Sequence, residues 1–299
     1  MLPLWNRLPR LALQWQTRSN KSALTGGSFM QRTNTTEDTC AADDVRYAVR
    51  SHAAWVTIDR PSRRNALATS TMDALIHCFL RANADPEVRA IVLTGTGDQS
   101  FCAGGDLKEL DEMARDGQSI PLPMGGTSRN VFEVILETTK PTIAAVNGVA
   151  IGGGCELLLA CDVRIAADDV LIGLPEAKRG MGANFGSVML PRMIPRAVAL
   201  ELLYTGRLIS AEEAASLHLI NRVSPRAQFL EDVENFVEEI VKNAPLTLQR
   251  YKHMVLKGCD LSASAALRLN VGPNPYLSAD RVEGVRAFVE KRQPQWKGY

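Results

Sequence analysis

The sequence predicts an α/β domain followed by a helical C-terminal region. In the first half of the 299-residue chain, short apolar runs typical of buried strands alternate with segments whose apolar residues recur at helical spacing. In the second half, helical patterns follow one another without a long linker. We therefore expect three segments, namely a flexible or targeting N-terminal segment over 1–40, an α/β core over 41–225 and a helical region over 226–299.

The composition limits the classes of partner and cofactor. The formal net charge of +1 gives no electrostatic reason to expect a nucleic-acid partner. The histidines and cysteines fall in no metal-ligand motif, and no apolar run reaches the length of a membrane span. We therefore expect no metal, no nucleic-acid partner and no membrane association.

The N-terminal segment differs in composition from the rest of the chain. It is rich in arginine, serine and threonine and has no acidic residue before Glu37. Such a composition is typical of an organelle transit peptide, although a disordered tail or a true start at Met30 also explains it. The predicted location is the mitochondrial matrix if residues 1–35 are a transit peptide, and the cytoplasm if the protein is bacterial.

Strands and a helix are predicted directly after this segment. Val45–Arg50 and 53–59 have the length and composition of short strands, joined as a hairpin. A helix is expected to begin at Ser70, which has capping-box spacing to Asp73. Another apolar strand is predicted over 90–94.

Two glycine-rich segments each lie between a predicted strand and a predicted helix. Gly104 and Gly105 follow an apolar strand end, and three glycines at 152–154 follow the buried-strand pattern of Thr142–Val146. Glycines at such places let other atoms approach the backbone closely, and a helix start leaves N–H groups without partners. Two such places can converge on one oxygen atom.

Two acidic residues accompany the second glycine segment. Glu156 lies in the first turn of the helix that follows the glycines, and Glu176 follows Pro175 in a loop. The structural interpretations are an acid that favours a helix start and a solvated loop acid. Together with free N–H donors, however, two carboxylates can perform acid–base chemistry beside a carbonyl group.

The remaining patterns complete the predicted secondary structure. Residues 114–128 are polar, glycine-rich and proline-containing, which is typical of a mobile loop. Apolar residues at helical spacing predict helices over 130–138, 188–205, 211–217, 227–242, 246–257, 261–269 and 279–291.

A series of motifs relates these segments to a known family. In chain order they are Arg60-Pro61, Asn65-Ala66-Leu67, Phe101-Cys102-Ala103-Gly104-Gly105-Asp106-Leu107, Pro141-Thr142-Ile143-Ala144-Ala145-Val146-Asn147-Gly148, Gly152-Gly153-Gly154-Cys155-Glu156-Leu157, Pro175-Glu176, Tyr204-Thr205-Gly206-Arg207 and Glu283-Gly284-Val285-Arg286-Ala287-Phe288. In the identity and order of these motifs, the chain resembles the crotonase (enoyl-CoA hydratase/isomerase) superfamily over about residues 45–292.

The resemblance implies a fold, an assembly and a substrate class. The fold is α/β, a crotonase-like spiral of ββα turns with a C-terminal helical region that mediates trimerisation. Members assemble as homotrimers or hexamers and bind an acyl-CoA thioester, so CoA is part of the substrate and no separate cofactor is expected. By motif position, the N–H groups of Gly105 and Gly153 would form an oxyanion hole for the thioester oxygen.

The two acids match the hydratase pattern of the superfamily. The resemblance implies that Glu156 activates a water molecule and that Glu176 transfers a proton at the α-carbon of a 2-enoyl-CoA. The expected enzyme is an enoyl-CoA hydratase, a carbon–oxygen lyase. The alternatives are another crotonase-type isomerase or lyase and a non-catalytic member that binds acyl-CoA.

The resemblance also implies which residues contact the substrate. These are Ala66, Ala103, Gly105, Asp106, Leu107, Lys108, Gly152 and Gly153, and Phe185 is a further candidate in a loop that departs from the family pattern. Lys108 is a candidate phosphate ligand, and Arg63 or Arg64 would replace the basic residue that the family carries at Ser62. Phe185 is bulky for a loop that is small and glycine-rich in hydratases, and its side chain would either shape the acyl pocket or point into the core.

Overall fold

The computed structural model describes residues 37–39, 44–118 and 128–299 of the chain. The predicted N-terminal segment, apart from 37–39, and residues 119–127 of the predicted loop lie outside the described residues. In chain order the described strands are β1 (Glu37–Thr39), β2 (Val45–Arg50), β3 (Ala53–Ile58), β4 (Ala90–Gly95), β5 (Ser100–Cys102), β6 (Thr142–Val146), β7 (Val149–Ile151), β8 (Val163–Ala167), β9 (Leu171–Gly173), β10 (Ile209–Ser210) and β11 (Arg222–Ser224).

The described helices lie between and after these strands. They are α1 (Thr69–Ala84), α2 (Leu107–Arg115), α3 (Val131–Glu137), α4 (Gly153–Ala160), α5 (Asn184–Met193), α6 (Arg196–Thr205), α7 (Ala211–Ser216), α8 (Phe229–Val241), α9 (Pro245–Gly258), α10 (Ala263–Ala266) and α11 (Ala279–Glu290). Short 3-10 turns occur at Pro61–Arg63, Glu176–Arg179 and Pro275–Leu277. None of the helices in the described ranges has the length and apolar composition that crossing a membrane requires.

The described strands form two sheets, and the chain alternates between them in its central part. The larger sheet has the order β1-β2-β3-β4-β6-β8-β11, and the smaller has the order β10-β9-β7-β5. From β4 to β9, each strand of the larger sheet is followed by one of the smaller sheet, and helices α2 to α4 connect the successive pairs. This alternation is the α/β spiral of ββα turns that the sequence predicts.

The strands of the larger sheet follow the apolar pattern of the sequence. The predicted hairpin is confirmed, since Val45 pairs with Ile58 and Arg50 pairs with Ala53 in antiparallel register. Strands β3, β4, β6, β8 and β11 pair in parallel. Every residue of β6 is buried, as expected for a strand of a parallel sheet that is covered on both faces.

The start of α1 differs from the prediction. The helix begins at Thr69, and its N-cap residue Ala68 has no side-chain oxygen to bond the helix N–H groups. The predicted capping box of Ser70 and Asp73 is therefore wrong. Instead, the carboxylate of Glu109 in α2 accepts a hydrogen bond from the backbone N–H of Thr69 at 3.1 Å. This cap comes from a distant segment, so local spacing could not reveal it.

The predicted helix over 188–205 is divided in two. Helices α5 and α6 are separated at Ile194 and Pro195, where Ile194 is extended with φ −130° and ψ 166°. Proline lacks the N–H that a helix needs and disfavours a helical residue before it. The helix predicted over 261–269 is shorter in the structure, where only α10 is helical. The bounds of the other predicted helices are close to those observed for α3, α7, α8, α9 and α11.

Candidate active site

Two glycine loops meet where α4 begins. One follows β5 and contains Gly104, and the other follows β7 and contains Gly152. Their φ values of 90° and 59° lie in the region that L side chains rarely adopt. A Cβ atom on Gly104 would lie 2.8 Å from the carbonyl oxygen of Ile151. Glycine is therefore what allows the two loops to come this close.

The N–H groups of Gly105 and Gly153 are free donors of these loops. The nitrogen of Gly105 lies 3.8 Å from the position that a Cβ of Gly153 would occupy. The neighbouring backbone groups, in contrast, form hydrogen bonds within the protein. The Leu67 N–H donates to the Gly104 carbonyl at 2.8 Å, and the Asp106 N–H donates to the Leu67 carbonyl at 2.9 Å. Within the described ranges, neither glycine N–H has a protein acceptor. Both can therefore donate to an oxygen atom of a bound molecule.

Glu156 is a buried acid one turn into α4. Its relative exposure is 7%, and its Oε1 accepts a hydrogen bond from the backbone N–H of Gly186 at 2.8 Å. Burial, together with repulsion from Glu176, raises the pKa of Glu156 to about 7 against the lowering effect of the Gly186 hydrogen bond. At neutral pH this carboxyl group can both hold and release a proton.

Glu176 is a second buried acid, in the turn that follows β9. Its relative exposure is 8%, and burial raises its pKa despite a backbone hydrogen bond and the charge of Arg179. A Cβ atom on Gly152 would lie 3.1 Å from Oε1 of Glu176, so this carboxylate borders the second glycine loop. Its Oε2 is buried and has no hydrogen-bond partner among the described residues. An unpaired buried carboxylate oxygen is costly and is typical of a functional group.

The acids and the free N–H groups form one site at the N-terminus of α4. Two neighbouring buried carboxyl groups, both with raised pKa values, can take part in proton transfer near neutral pH. Two free backbone donors can stabilise negative charge that develops on a carbonyl oxygen. The arrangement therefore suits proton transfer next to a carbonyl group.

The chain matches the family model of enoyl-CoA hydratase/isomerase over residues 49–299. It belongs to this family. A putative enoyl-CoA hydratase of Thermus thermophilus is 37% identical over 249 residues, which is 83% of this chain and 98% of the relative. The (E)-benzylidenesuccinyl-CoA hydratase of Thauera aromatica is 37% identical over 265 residues, which is 85% of this chain and 99% of the relative.

Solved structures of the enoyl-CoA hydratase/isomerase family share this fold. The crystal structure of an enoyl-CoA hydratase from Mycobacterium tuberculosis H37Rv is similar with a TM-score of 0.76 and 33% identity, over 86% of this chain and 100% of that chain. The resemblance to the crotonase superfamily and the predicted fold class are therefore confirmed.

In this family member, Ala66, Ala103 and Gly105 come together from separate segments. Leu67 and Gly105 form a parallel bridge, and the Ala103 N–H donates to the Arg64 carbonyl at 3.1 Å. Ala66 is buried and Ala103 is partly buried. The loop before α1 and the loop after β5 thus lie side by side next to the free N–H of Gly105.

Asn65 fixes this arrangement from inside the protein. It is fully buried with a φ of 56°. Its amide group donates to the carbonyls of Thr96 at 3.1 Å and Ser100 at 2.7 Å, and its Oδ1 accepts from the Arg60 N–H. The sequence identified Arg60 and Asn65 as family motifs without giving either a role. The positive φ of Asn65 and its hydrogen bonds to distant carbonyl groups become visible only in the folded structure.

Three of the residues that are predicted to contact substrate lie at the start of α2. Asp106 is buried, caps this helix through the Lys108 N–H at 3.2 Å and pairs with Arg60 at 3.0 Å. Leu107 and Lys108 are exposed. The Asp106 side chain is therefore engaged within the protein, while Leu107 and Lys108 are open to solvent.

Phe185 lies in the first turn of α5, with its ring in the core. The ring is buried and contacts Phe132 of α3, with ring centroids 5.4 Å apart and planes inclined at 31°. Of the two predicted orientations, the structure shows the one that points into the core. The next residue, Gly186, bonds Glu156, so the packing of Phe185 helps to fix the backbone that holds this acid.

Proposed function

We propose that the protein is an enoyl-CoA hydratase that adds water across the double bond of a 2-enoyl-CoA thioester. The observation that carries this proposal is the placement of two buried acids with raised pKa values beside two free backbone donors. Family membership makes an acyl-CoA thioester the expected substrate class.

The N–H groups of Gly105 and Gly153 would stabilise the thioester oxygen. When water adds to the β-carbon, electrons move through the double bond onto this oxygen and form an enolate. Backbone donors that are already in place stabilise this charge without reorganisation, and loss of one such donor typically costs about 100- to 1000-fold in rate.

The two acids would complete the proton balance. Ionised Glu156 removes a proton from water as the water oxygen bonds to the β-carbon, and protonated Glu176 gives its proton to the α-carbon as the enolate collapses. The product is a 3-hydroxyacyl-CoA, and proton exchange with solvent restores both acids. The unpaired Oε2 of Glu176 supports this role, since a ligand or water that bonds it would relieve its unmet hydrogen-bonding capacity.

The CoA moiety would lie along the paired loops that end at Ala66 and Gly105. Backbone groups at Ala66, Ala103 and Gly105 lie together there. Arg63, Arg64 and Lys108 are exposed cations, and none of them forms a salt bridge within the described part of the chain. They are available for the CoA phosphates. CoA enters as part of the substrate, so the proposed reaction needs no separate cofactor.

Self-association as a trimer or hexamer is part of the proposal. On α11, the exposed residues Val282, Val285 and Val289 recur at helical spacing, and the neighbouring Phe288 is 87% exposed. Exposed apolar surfaces of this kind typically mark contacts between proteins. A second copy of the chain is the partner that the family resemblance implies.

Hydration can be tested by following the absorbance of the conjugated enoyl thioester with crotonyl-CoA and with a longer 2-enoyl-CoA. Wild type should consume both or one of them, and Glu176→Gln should lose at least about 100-fold in kcat. The exposed Glu212→Gln provides a matched control that keeps full activity. Binding of CoA ligands by wild type without hydration would contradict the proposal and favour another thioester reaction at the same site.

A further inference from the structure

The guanidinium group of Arg60 joins the two loops that border the proposed oxyanion site. Its Nη1 donates to the Ala66 carbonyl at 2.6 Å, and its Nη2 donates to Oδ2 of Asp106 at 3.0 Å. The side chains of Arg60 and Asp106 are only 14% and 7% exposed. Charge-assisted hydrogen bonds between such shielded groups are stronger and more directional than those of surface pairs.

Arg60 is itself held by further contacts. Its Nε lies 3.4 Å from Oδ2 of Asp44, and the same oxygen accepts a hydrogen bond from Oγ1 of Thr71 in α1. The Arg60 backbone N–H donates to Oδ1 of the buried Asn65 at 3.0 Å. Because the guanidinium is planar and anchored along one edge, its other edge can fix the positions of Ala66 and Asp106.

Asp106 transmits this restraint to the oxyanion loop. Its backbone N–H donates to the Leu67 carbonyl at 2.9 Å, and its Oδ1 accepts from the Lys108 N–H at 3.2 Å. Burial alone would raise the pKa of Asp106, but hydrogen bonds from Arg60 and Lys108 and the charge of Arg60 lower it, so the carboxylate stays ionised. Asp106 is thus fixed through both its backbone and its side chain.

The free donor of Gly105 lies directly before this fixed residue. The two glycines at 104 and 105 give the loop little conformational preference of its own. The Gly105 N–H is held in one direction because the carbonyl of the same peptide, that of Gly104, accepts from the Leu67 N–H. Leu67 directly follows Ala66, which Arg60 binds. Loss of a contact that leaves a reacting group misplaced by about 1 Å can cost about 100-fold in rate.

We propose that Arg60 is a positioning residue that aligns the Gly105 N–H with the thioester oxygen through Asp106 and ties this alignment to the Ala66 loop. The inference rests on the proposed function, because it assigns Arg60 an effect on the enolate rather than on substrate binding. A purely structural ion pair would instead affect stability and leave the turnover of folded enzyme unchanged.

The test compares Arg60→Lys, Arg60→Met and Asp106→Asn with wild type. Asn is also a good N-cap residue, so Asp106→Asn keeps the cap of α2 while it removes the charge. The matched control is Arg46→Met, which removes another arginine that pairs with an aspartate, Asp59 at 2.9 Å, and whose side chain donates to Oγ1 of Thr96 instead of to the Ala66 or Asp106 segments. The readouts are kcat and KM for crotonyl-CoA and the ultraviolet enolate absorbance of bound acetoacetyl-CoA.

We expect Arg60→Met to lower kcat by about 10- to 100-fold, with KM changed by less than about threefold. Bound acetoacetyl-CoA should show a weaker enolate absorbance in this variant. Arg60→Lys keeps the charge but not the planar pair of hydrogen bonds, so it should recover only part of kcat. Combining Asp106→Asn with Arg60→Met should add little further loss, since the two groups act as one unit. The Arg46→Met control should behave as wild type.

Folded Arg60→Lys and Asp106→Asn proteins with kcat and enolate absorbance within about twofold of wild type would overturn the inference. This result remains decisive if Arg60→Met does not fold. Failure of the proposed function has a different signature, because wild type itself would then not hydrate a 2-enoyl-CoA.

Discussion

The backbone N–H of Gly186 donates a 2.8 Å hydrogen bond to Oε1 of Glu156, although the two residues are 30 positions apart in the chain. The first turn of α5 thereby holds the acid of α4 in place. The bond favours the ionised form of Glu156, while burial and Glu176 favour the neutral form. The balance leaves this acid ready to exchange a proton near neutral pH.

The first prediction concerns the pH dependence of the reaction. Because burial raises the pKa of Glu156 to about 7, the carboxylate is protonated as the pH falls below this value and can no longer accept a proton from water. We expect kcat/KM for crotonyl-CoA to fall about tenfold per pH unit on the acidic side. A pH–rate profile measures this, and a rate that is constant from pH 5 to pH 8 would contradict the role of Glu156.

The second prediction concerns stability. A glutamate whose pKa is raised on folding contributes stability below its unfolded pKa, and this contribution is lost as the pH rises through the folded value. Glu156→Gln has no such titration, so its free energy of unfolding relative to wild type should increase between pH 5 and pH 8, by up to about 3 kcal/mol. Denaturant unfolding at both pH values measures the change, and the exposed Glu212→Gln should show none. A relative stability that decreases with pH would reverse the assigned sign.

The third prediction concerns the contact between strand β5 and the first turn of α4. A Cβ atom on Gly154 would lie 2.0 Å from the carbonyl oxygen of Cys102, so the backbone must move to admit it. Gly154→Ala should lower the free energy of unfolding by about 3 kcal/mol or more. Gly258→Ala is the control, since its added Cβ would meet Ala266 at an ordinary 3.4 Å. Equal stabilities of the two variants would contradict the observed closeness of β5 and α4.

The fourth prediction concerns assembly. Phe288 is highly exposed on α11 beside other apolar side chains. Phe288→Glu should convert the proposed trimer or hexamer into smaller species, because burying a charge in an apolar contact is unfavourable. Light scattering after size-exclusion chromatography measures the mass. Leu80→Glu, on an exposed apolar residue of α1, is the control. A wild type that is monomeric at micromolar concentration would refute this part of the proposal.

Much of the fold could be predicted from local pattern. The hairpin of β2 and β3, the buried strand β6 and most helices follow from apolar periodicity, which reflects burial directly. The division between α5 and α6 also had a local signal in Pro195, which the long apolar pattern concealed. The cap that Glu109 supplies to α1 had no local signal in the sequence, because it depends on how two distant segments pack.

The candidate site was predictable in its residues but not in its geometry. The glycines and acids belong to contiguous motifs, so the sequence predicts Gly105, Gly153, Glu156 and Glu176 as site residues. Their burial, the Gly186 bond and the unpaired Oε2 of Glu176 depend on tertiary packing. The pairing of the Asp106 side chain with Arg60 also appears only in the fold, and the substrate contact of Asp106 stays a prediction.

Product analysis of crotonyl-CoA incubated in isotopically labelled water shows whether Glu156 and Glu176 add water across a 2-enoyl-CoA. In a mixture of deuterium oxide and oxygen-18 water, wild type should form 3-hydroxybutyryl-CoA with solvent oxygen on the β-carbon and solvent hydrogen on the α-carbon. Glu156→Gln and Glu176→Gln should form almost none. Unchanged crotonyl-CoA with wild type, or a product whose double bond has moved without gaining oxygen, would contradict the claim.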